Sequence, residues 1–274
     1  MRIAINCHID YDLPGTTSII LQLEAAIVPE QSVEDAFIEL SPTEHFARVP
    51  AHDTVGERIL IRATNRLIVD YRATVLIERI CVDIATLPAV DLHLLPGETV
   101  QYLFGSQYCP VLPFLRFVQS EFGDTEGGAR IAAIRDFVQD KLAYVPGSSD
   151  AETTALDTFV RRAGVCRDYA HMVIALARAS NIPARLASVY APGVNPPDFH
   201  AVAEVFVGAP NGSGPNAGGP NGGGTWQMVD ATGMATENSM AKIGVGRDAA
   251  DVAFLTAFAP VTINAQTVEV VELK

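Results

Sequence analysis

The first hundred residues show a pattern of hydrophobic and polar positions that is typical of β-strands. Runs rich in Ile, Val and Thr are separated by turn residues such as Pro14-Gly15 and Pro50. Asn65, which stands between two such runs, is predicted to form a hairpin turn. Short strands at this spacing, with no helices between them, favour an antiparallel β-sandwich-like domain. The predicted strands span residues 16–28, 36–40, 57–64 and 66–80.

Beyond a proline-containing connector at residues 87–113, the apolar positions change to a helical period. Ile131, Ile134 and Val138, for example, recur three and four residues apart. Helices are predicted over residues 112–122, 129–142, 153–160 and 166–180, and strands over 184–191, 200–207, 225–232 and 261–272. The change of period predicts an α+β chain, with a β-rich domain at residues 1–105 and a second domain at residues 106–274.

A glycine-rich stretch, GAPNGSGPNAGGPNGGG, separates two of these predicted strands at residues 208–224. It offers few side chains that could pack, so a long flexible hairpin loop is predicted. A phosphate-binding loop would need a lysine, a Ser/Thr pair and a following helix, none of which accompanies these glycines.

Composition narrows the class of protein. Of 274 residues, 49% are hydrophobic and only 19% charged, so a substantial core is expected and wholesale disorder is excluded. The net charge of −13 disfavours binding to nucleic acids and to anionic membrane surfaces. The sequence has neither a signal-peptide pattern at its start nor an apolar run of membrane-spanning length. A soluble cytoplasmic protein is therefore expected.

The segment around Cys166 carries the most informative chemistry. Gly164 ends one predicted helix and Cys166 begins the next, where backbone N–H groups and the helix dipole stabilise a thiolate and can also bind an oxyanion. A thiolate nucleophile needs a base, and His200 begins a following strand. An imidazolium needs an orienting acceptor, and Asp230 ends the strand after that. Taken singly, each residue has a structural explanation; their order favours a catalytic set.

The same residues resemble a known family. The segments GVCRDYAHMVIALARASNIPAR, FHAVAEVF and WQMVDAT are similar to the GVCxDxAH…IPAR, HAW and DPT patterns of the bacterial branch of the transglutaminase-like superfamily. The similarity extends from about Phe114 to Thr232, and the β-rich first half resembles the region that precedes this domain in such bacterial proteins. The resemblance implies a papain-like fold, with helices packed on an antiparallel sheet, and a Cys-His-Asp triad.

Transferred position by position, the resemblance makes Cys166 the nucleophile, His200 the general base and acid, and Asp230 the residue that orients His200. Two positions depart from the family patterns. Val202 stands where HAW has tryptophan, and Ala231 replaces the proline of DPT. Neither change removes a reacting group, but the lost indole would alter an acyl pocket or the shielding of His200.

Three neighbouring residues receive separate roles. Asp168 lies in the first turn of the predicted helix, where a carboxylate caps free N–H groups. His171 follows Cys166 by five residues, about 140° around the helix at 100° per residue, so a packing role is predicted. Tyr144 is an additional candidate for the catalytic site, because its hydroxyl can donate a hydrogen bond to the oxyanion.

These observations favour a cysteine-dependent enzyme that acts on a peptide or carboxamide through a thioester on Cys166. With water as acceptor it is a peptidase or amidase, and with an amine as acceptor it is a transglutaminase. A zinc site formed by Cys166, His171 and His200 is an alternative, although their spacing does not converge on one ion. Another alternative is a binding module, which keeps the triad region but no longer catalyses a reaction. No cofactor or metal is expected, and the sequence leaves the substrate and the oligomeric state open.

Overall fold

A computed structural model describes residues 1–209 and 223–273. The α+β class, with helices and antiparallel sheets, is confirmed. The strands are β1 (Arg2–Leu21), β2 (Gln31–Leu40), β3 (His45–Pro50), β4 (Glu57–Ile77), β5 (Ala143–Tyr144), β6 (Ala163–Gly164), β7 (Ala184–Tyr190), β8 (His200–Gly208), β9 (Gly224–Val229), β10 (Ala241–Gly246), β11 (Leu255–Ala257) and β12 (Thr262–Leu273). The α-helices are α1 (Leu115–Phe122), α2 (Gly127–Lys141), α3 (Ala155–Arg161), α4 (Cys166–Ala179) and α5 (Ala249–Val252). None of the helices in the described ranges is long and apolar enough to cross a bilayer.

The first half of the chain builds a six-stranded antiparallel sheet around two long strands, β1 and β4. β2 and β3 pair with the outer edge of β4, while β11 and β12 pair with the outer edge of β1. Alternate residues of β1, such as Ile3, Ile5 and Ile9, are fully buried, as expected for a sheet with one face against a core. Tyr190 of β7 and Ile243 of β10 pack into this same apolar cluster, which joins the first sheet to the second.

The hairpin predicted at Asn65 is wrong. Asn65 lies inside the continuous strand β4, and β4 pairs with the single strand β1 on both sides of it. The ladder is irregular here, because Asp12 opposes Arg66 and the next pair is Thr16 with Thr64. Asn65 takes a φ of 66°, a left-handed conformation that asparagine tolerates in a bulge as well as in a turn. Asparagine at this position indicated a left-handed φ, but it did not indicate whether that φ belongs to a hairpin turn or to a bulge.

The C-terminal strands belong to the first sheet, which differs from the predicted division at residues 105 and 106. β12 pairs with β1 from Arg2 opposite Leu273 to Asp12 opposite Thr262, and β11 pairs with the end of β1. A period-two pattern identifies residues 261–272 as a strand but carries no information about the partner strand. The sheet therefore combines the two ends of the described chain.

The second half forms a four-stranded antiparallel sheet, in the order β10–β7–β8–β9. The predicted helices and strands of this half lie where the sequence placed them, whereas β10 and the short elements β5, β6, α5 and β11 were not predicted. α4 packs against β7 and β8, and its residues from Asp168 to Ala179 are all buried. Gly208 pairs with Gly224, so β8 and β9 form the predicted hairpin. The flexible loop predicted between them, at residues 208–224, lies almost wholly outside the described residues.

Candidate active site

Cys166 begins the buried helix α4 at a point where the backbone is tightly packed. β6, which precedes it, pairs in parallel with β5, and Arg162 ends α3 with a left-handed φ of 57°. A Cβ atom on Gly164 would lie 2.6 Å from the Cβ of Asp168, so only glycine fits this approach. The N-terminal turn of α4 is thereby fixed, and Cys166 remains partly accessible at its first position.

Asp168 stabilises the start of this helix. Its side chain is fully buried, and its Oδ2 accepts a hydrogen bond of 2.8 Å from the backbone N–H of Val165. Its Oδ1 accepts from the guanidinium of Arg167 at 3.2 Å. The carboxylate thus satisfies one of the free N–H groups of the helix end, which is the capping role that the sequence suggested.

His200 and Asp230 meet at one end of the second sheet. β8 and β9 are antiparallel, so the first residue of β8 lies beside the residue that follows β9. His200 Nε2 is 3.0 Å from Asp230 Oδ2, and both side chains are at most 2% exposed. The structure thus brings together two residues that are thirty positions apart in the sequence.

Asp230 is held by several donors besides His200. Its Oδ1 accepts from the backbone N–H and the hydroxyl of Thr232, at 2.8 and 2.7 Å, and its Oδ2 accepts from the N–H of Ala235 at 2.9 Å. Burial alone would raise the pKa of Asp230, but the bonds from His200 and Thr232 lower it below its usual value. The carboxylate is therefore ionised and fixed in orientation at neutral pH.

The surroundings of His200 favour its charged form. Burial alone would lower the pKa of His200, but its hydrogen bond to Asp230 and its interactions with Cys166 outweigh burial and raise that pKa to about 9. Nε2 is occupied by Asp230, and Nδ1 is buried with no partner at hydrogen-bonding geometry among the described residues. We infer that the interaction with Cys166 acts on Nδ1.

Tyr144 lies beside Cys166. It ends β5, which pairs with β6 just ahead of α4, and its ring packs 5.9 Å from that of Tyr169. Burial and the neighbouring Cys166 raise the pKa of Tyr144 to about 12. Its hydroxyl therefore stays protonated and is able to donate a hydrogen bond next to the thiol.

Cys166 and His200 open into a cavity of about 490 Å³. Other residues around it come from the segments before α1, α3 and β8, from the start of α4, from β7 and β8, and from the segment α5–β11. These are Tyr108, Ala151, Arg167, Leu186, Ser188, Asp198, Phe199, Ala201, Ala249, Ala250, Val252, Ala253, Phe254 and Thr256. Sequence reasoning singled out none of these lining residues, because their assembly depends on how the chain folds back after β10.

His171 is not part of this arrangement. Its ring is fully buried, stacks on Tyr108 at 5.3 Å, and accepts a hydrogen bond of 3.2 Å at Nε2 from the N–H of Ala249. Burial lowers the pKa of His171 to about 3, so the ring is neutral. Within residues 1–209 and 223–273, no group of three or more His, Cys, Asp or Glu side chains is placed to hold a metal ion. The zinc alternative therefore has no support in this part of the chain.

The two departures from the family patterns occupy apolar positions. Val202 is 1% exposed and packs in a cluster with Val189, Met228 and Met240, and it does not line the cavity. Ala231 is also buried, in the larger cluster around α4. The loss of the indole at position 202 therefore changes core packing rather than the wall of the cavity beside Cys166.

Known proteins resemble this chain in sequence and in fold. Residues 117–231 match the family described as the transglutaminase-like superfamily. A solved structure from Cytophaga hutchinsonii, proposed to be a cysteine protease, is 30% identical over the whole of this chain and 91% of its own, with a TM-score of 0.87. An uncharacterized protein from Mycobacterium leprae is 31% identical over 126 residues, which are 46% of this chain and 42% of that protein. The chain therefore spans less than half the length of this curated relative. The chain belongs to the transglutaminase-like superfamily.

Proposed function

We propose that the protein is a cysteine-dependent acyl-transfer enzyme that hydrolyses a peptide or carboxamide bond through a thioester on Cys166. The observation that carries this proposal is the position of His200. One ring nitrogen binds the ionised Asp230 at 3.0 Å, and the other is left for Cys166. A pKa of about 9 for His200 makes it an imidazolium at neutral pH, which is the partner that a reactive thiolate needs.

In the acylation step, the Cys166 thiolate attacks the carbonyl carbon, and the carbonyl electron pair moves to oxygen. We expect the backbone N–H of Cys166, which has no intrahelical acceptor, and the Tyr144 hydroxyl to donate to this oxyanion. The carbon–nitrogen bond then breaks, and His200 gives its Nδ1 proton to the leaving amine. The products of this step are a thioester, a free amine and a neutral His200.

In the deacylation step, His200 accepts a proton at Nδ1 from a water molecule as the water attacks the thioester carbonyl. The carbon–sulfur bond breaks, a carboxylic acid leaves, and the thiolate–imidazolium pair is restored. Asp230 keeps its proton-free form throughout and holds the Nε2–H of His200 in place. An amine that replaces water would give a transglutaminase reaction by the same steps.

Thiol reactivity tests the activated nucleophile. Brief treatment with iodoacetamide below pH 7, followed by mass spectrometry, should label Cys166 first among the four cysteines. Cys81 is the matched control, because it is exposed and has no imidazole partner in the part of the chain that the structure describes, whereas Cys7 and Cys109 are buried. The His200→Ala variant should lose the rapid labelling. Equal labelling of Cys81 and Cys166 in the folded protein would contradict the proposal.

A reactive acyl donor tests the transfer step itself. Mass spectrometry should detect an acyl adduct on Cys166 in the wild type and none in Cys166→Ala. Asp230→Asn should acylate more slowly, by about 10²-fold or more, because it keeps a hydrogen-bonding group but no longer stabilises the imidazolium. Product analysis in the presence of a primary amine separates hydrolysis from amine transfer. A wild-type protein that labels rapidly but never forms the adduct would be a binding module.

A further inference from the structure

The cavity beside Cys166 has a largely apolar wall of small residues. Five of its lining residues are alanines, Ala151, Ala201, Ala249, Ala250 and Ala253, and Leu186, Val252 and Phe254 add larger apolar side chains. Its volume of about 490 Å³ falls within the range of small-molecule sites. Because alanine side chains leave the space in front of them open, this wall has room for an apolar side chain of a ligand.

The charged residues that line the cavity differ in whether they have a partner of opposite charge. Arg167 pairs with the buried Asp168 at 3.2 Å and donates to the backbone carbonyl of Asp150 at 2.6 Å. Since His200 pairs with Asp230, the two cationic side chains of the lining each have an anionic partner.

Asp198, in contrast, has no cationic partner among the described residues. Its Oδ1 accepts hydrogen bonds of 2.8 Å from the N–H of Phe199 and from the amide of Gln266, which are both neutral donors. In the described part of the chain, no Lys, Arg or His side chain forms an ion pair with it, and its side chain is exposed to solvent. The lining of the cavity therefore carries one uncompensated negative charge, two residues before His200.

We propose that this cavity binds a substrate in which an apolar side chain lies next to an ammonium group. The apolar side chain fills the space along α5, and the ammonium binds the free oxygen of Asp198. This inference rests on the proposed function and names its substrate class: peptides with an apolar residue beside a positive charge. The ammonium can be the α-amino group of a terminal residue or the side chain of a neighbouring lysine, which share this chemistry.

Binding to the Cys166→Ala variant tests the inference without turnover. Isothermal titration would compare leucine amide, N-acetyl-leucine amide, N-acetyl-lysyl-leucine amide and N-acetyl-glutamyl-leucine amide. Leucine amide and N-acetyl-lysyl-leucine amide each carry an ammonium group. At least one of them should bind about fivefold more tightly than the neutral N-acetyl-leucine amide, which is a difference of about 1 kcal/mol at 1.4 kcal/mol per factor of ten. Whichever ammonium ligand binds more tightly identifies the source of the charge.

Three variants make this test specific. Asp198→Asn should abolish the preference for ammonium ligands, whereas Asp124→Asn, which removes the same charge from an exposed turn away from the cavity, should keep it. Ala253→Phe should weaken the binding of the leucine ligands about tenfold. It should leave unchanged the affinity for the same ligands with glycine in place of leucine. Protection of wild-type Cys166 from iodoacetamide by the same ligands provides a second readout that does not depend on the Cys166→Ala variant.

The outcomes separate this inference from the proposed function. Equal affinity for all four ligands, or a preference that survives in Asp198→Asn, would overturn the ammonium site even if a thioester forms. A charge preference that is lost in Asp198→Asn, in a protein that never forms a thioester, would support the site and refute the acyl-transfer reaction.

Discussion

The ion pair between His200 and Asp230 should make the stability of the protein depend on pH above neutrality. The pKa of His200 is raised from an ordinary value of 6.5 to about 9, and the side chain is buried. A histidine with a raised pKa stabilises the folded state fully below the unfolded pKa, and this contribution is lost as the pH rises through the folded pKa. At 1.36 kcal/mol per pKa unit, the loss between pH 6.5 and 9 is about 3 kcal/mol.

The Asp230→Asn variant removes the part of this contribution that the carboxylate makes. Without the carboxylate, only the interactions with Cys166 oppose burial, so the pKa of His200 falls and the variant should show a smaller decline between pH 6.5 and 9 than the wild type. Urea unfolding at several pH values, followed by the fluorescence of Trp226, the sole tryptophan, measures the free energy of unfolding of both proteins.

A matched control comes from His8 and Asp70, which form an exposed pair at 2.8 Å. Because exposed pairs contribute little, Asp70→Asn should leave the wild-type pH profile almost unchanged. The reasoning is refuted if the free energies of wild type and Asp230→Asn differ by the same amount at pH 6 and pH 9.5.

Three further changes have defined outcomes. Glu204→Gln should lower the free energy of unfolding by about 3 kcal/mol in urea titrations, because Arg185 and Lys242 lose the buried carboxylate that both contact and keep only the partly exposed Asp53 and Glu30. Asp168→Asn should cost about 1–3 kcal/mol, because the amide keeps one acceptor oxygen and so cannot accept from both the Val165 N–H and Arg167, while Cys166 labelling by iodoacetamide persists. Gly164→Ala should lower the melting temperature and slow that labelling, since the new methyl group displaces Asp168.

The local features of the site could be predicted from the sequence. Gly164 and Cys166 adjoin a strongly periodic apolar run, so the start of α4 follows from short-range pattern alone. The order of His200 and Asp230 on successive strands was also visible. Their meeting depends on antiparallel pairing across the glycine-rich segment, and that register has no signature in either strand.

The features that depend on distant parts of the chain could not be predicted. One wall of the cavity is formed by α5 and β11, which follow Cys166 by more than eighty residues. Both elements are too short to show a reliable repeat of hydrophobic positions. Asp198 resembles an ordinary turn residue until the structure shows the cavity beside it. Asn65 shows the reverse case, in which a clear local signal for a left-handed φ was compatible with both a hairpin and a bulge.

The pairing of β12 with β1 has a consequence for biosynthesis. One edge of β1 can be completed only after about 240 further residues have been translated, which takes about 10 to 50 s at 5–20 residues per second. During that interval, the backbone groups from Arg2 to Asp12 that will pair with β12 remain an open edge, and such edges recruit other chains. β1 therefore presents an unpaired edge to other chains until β12 has left the ribosome.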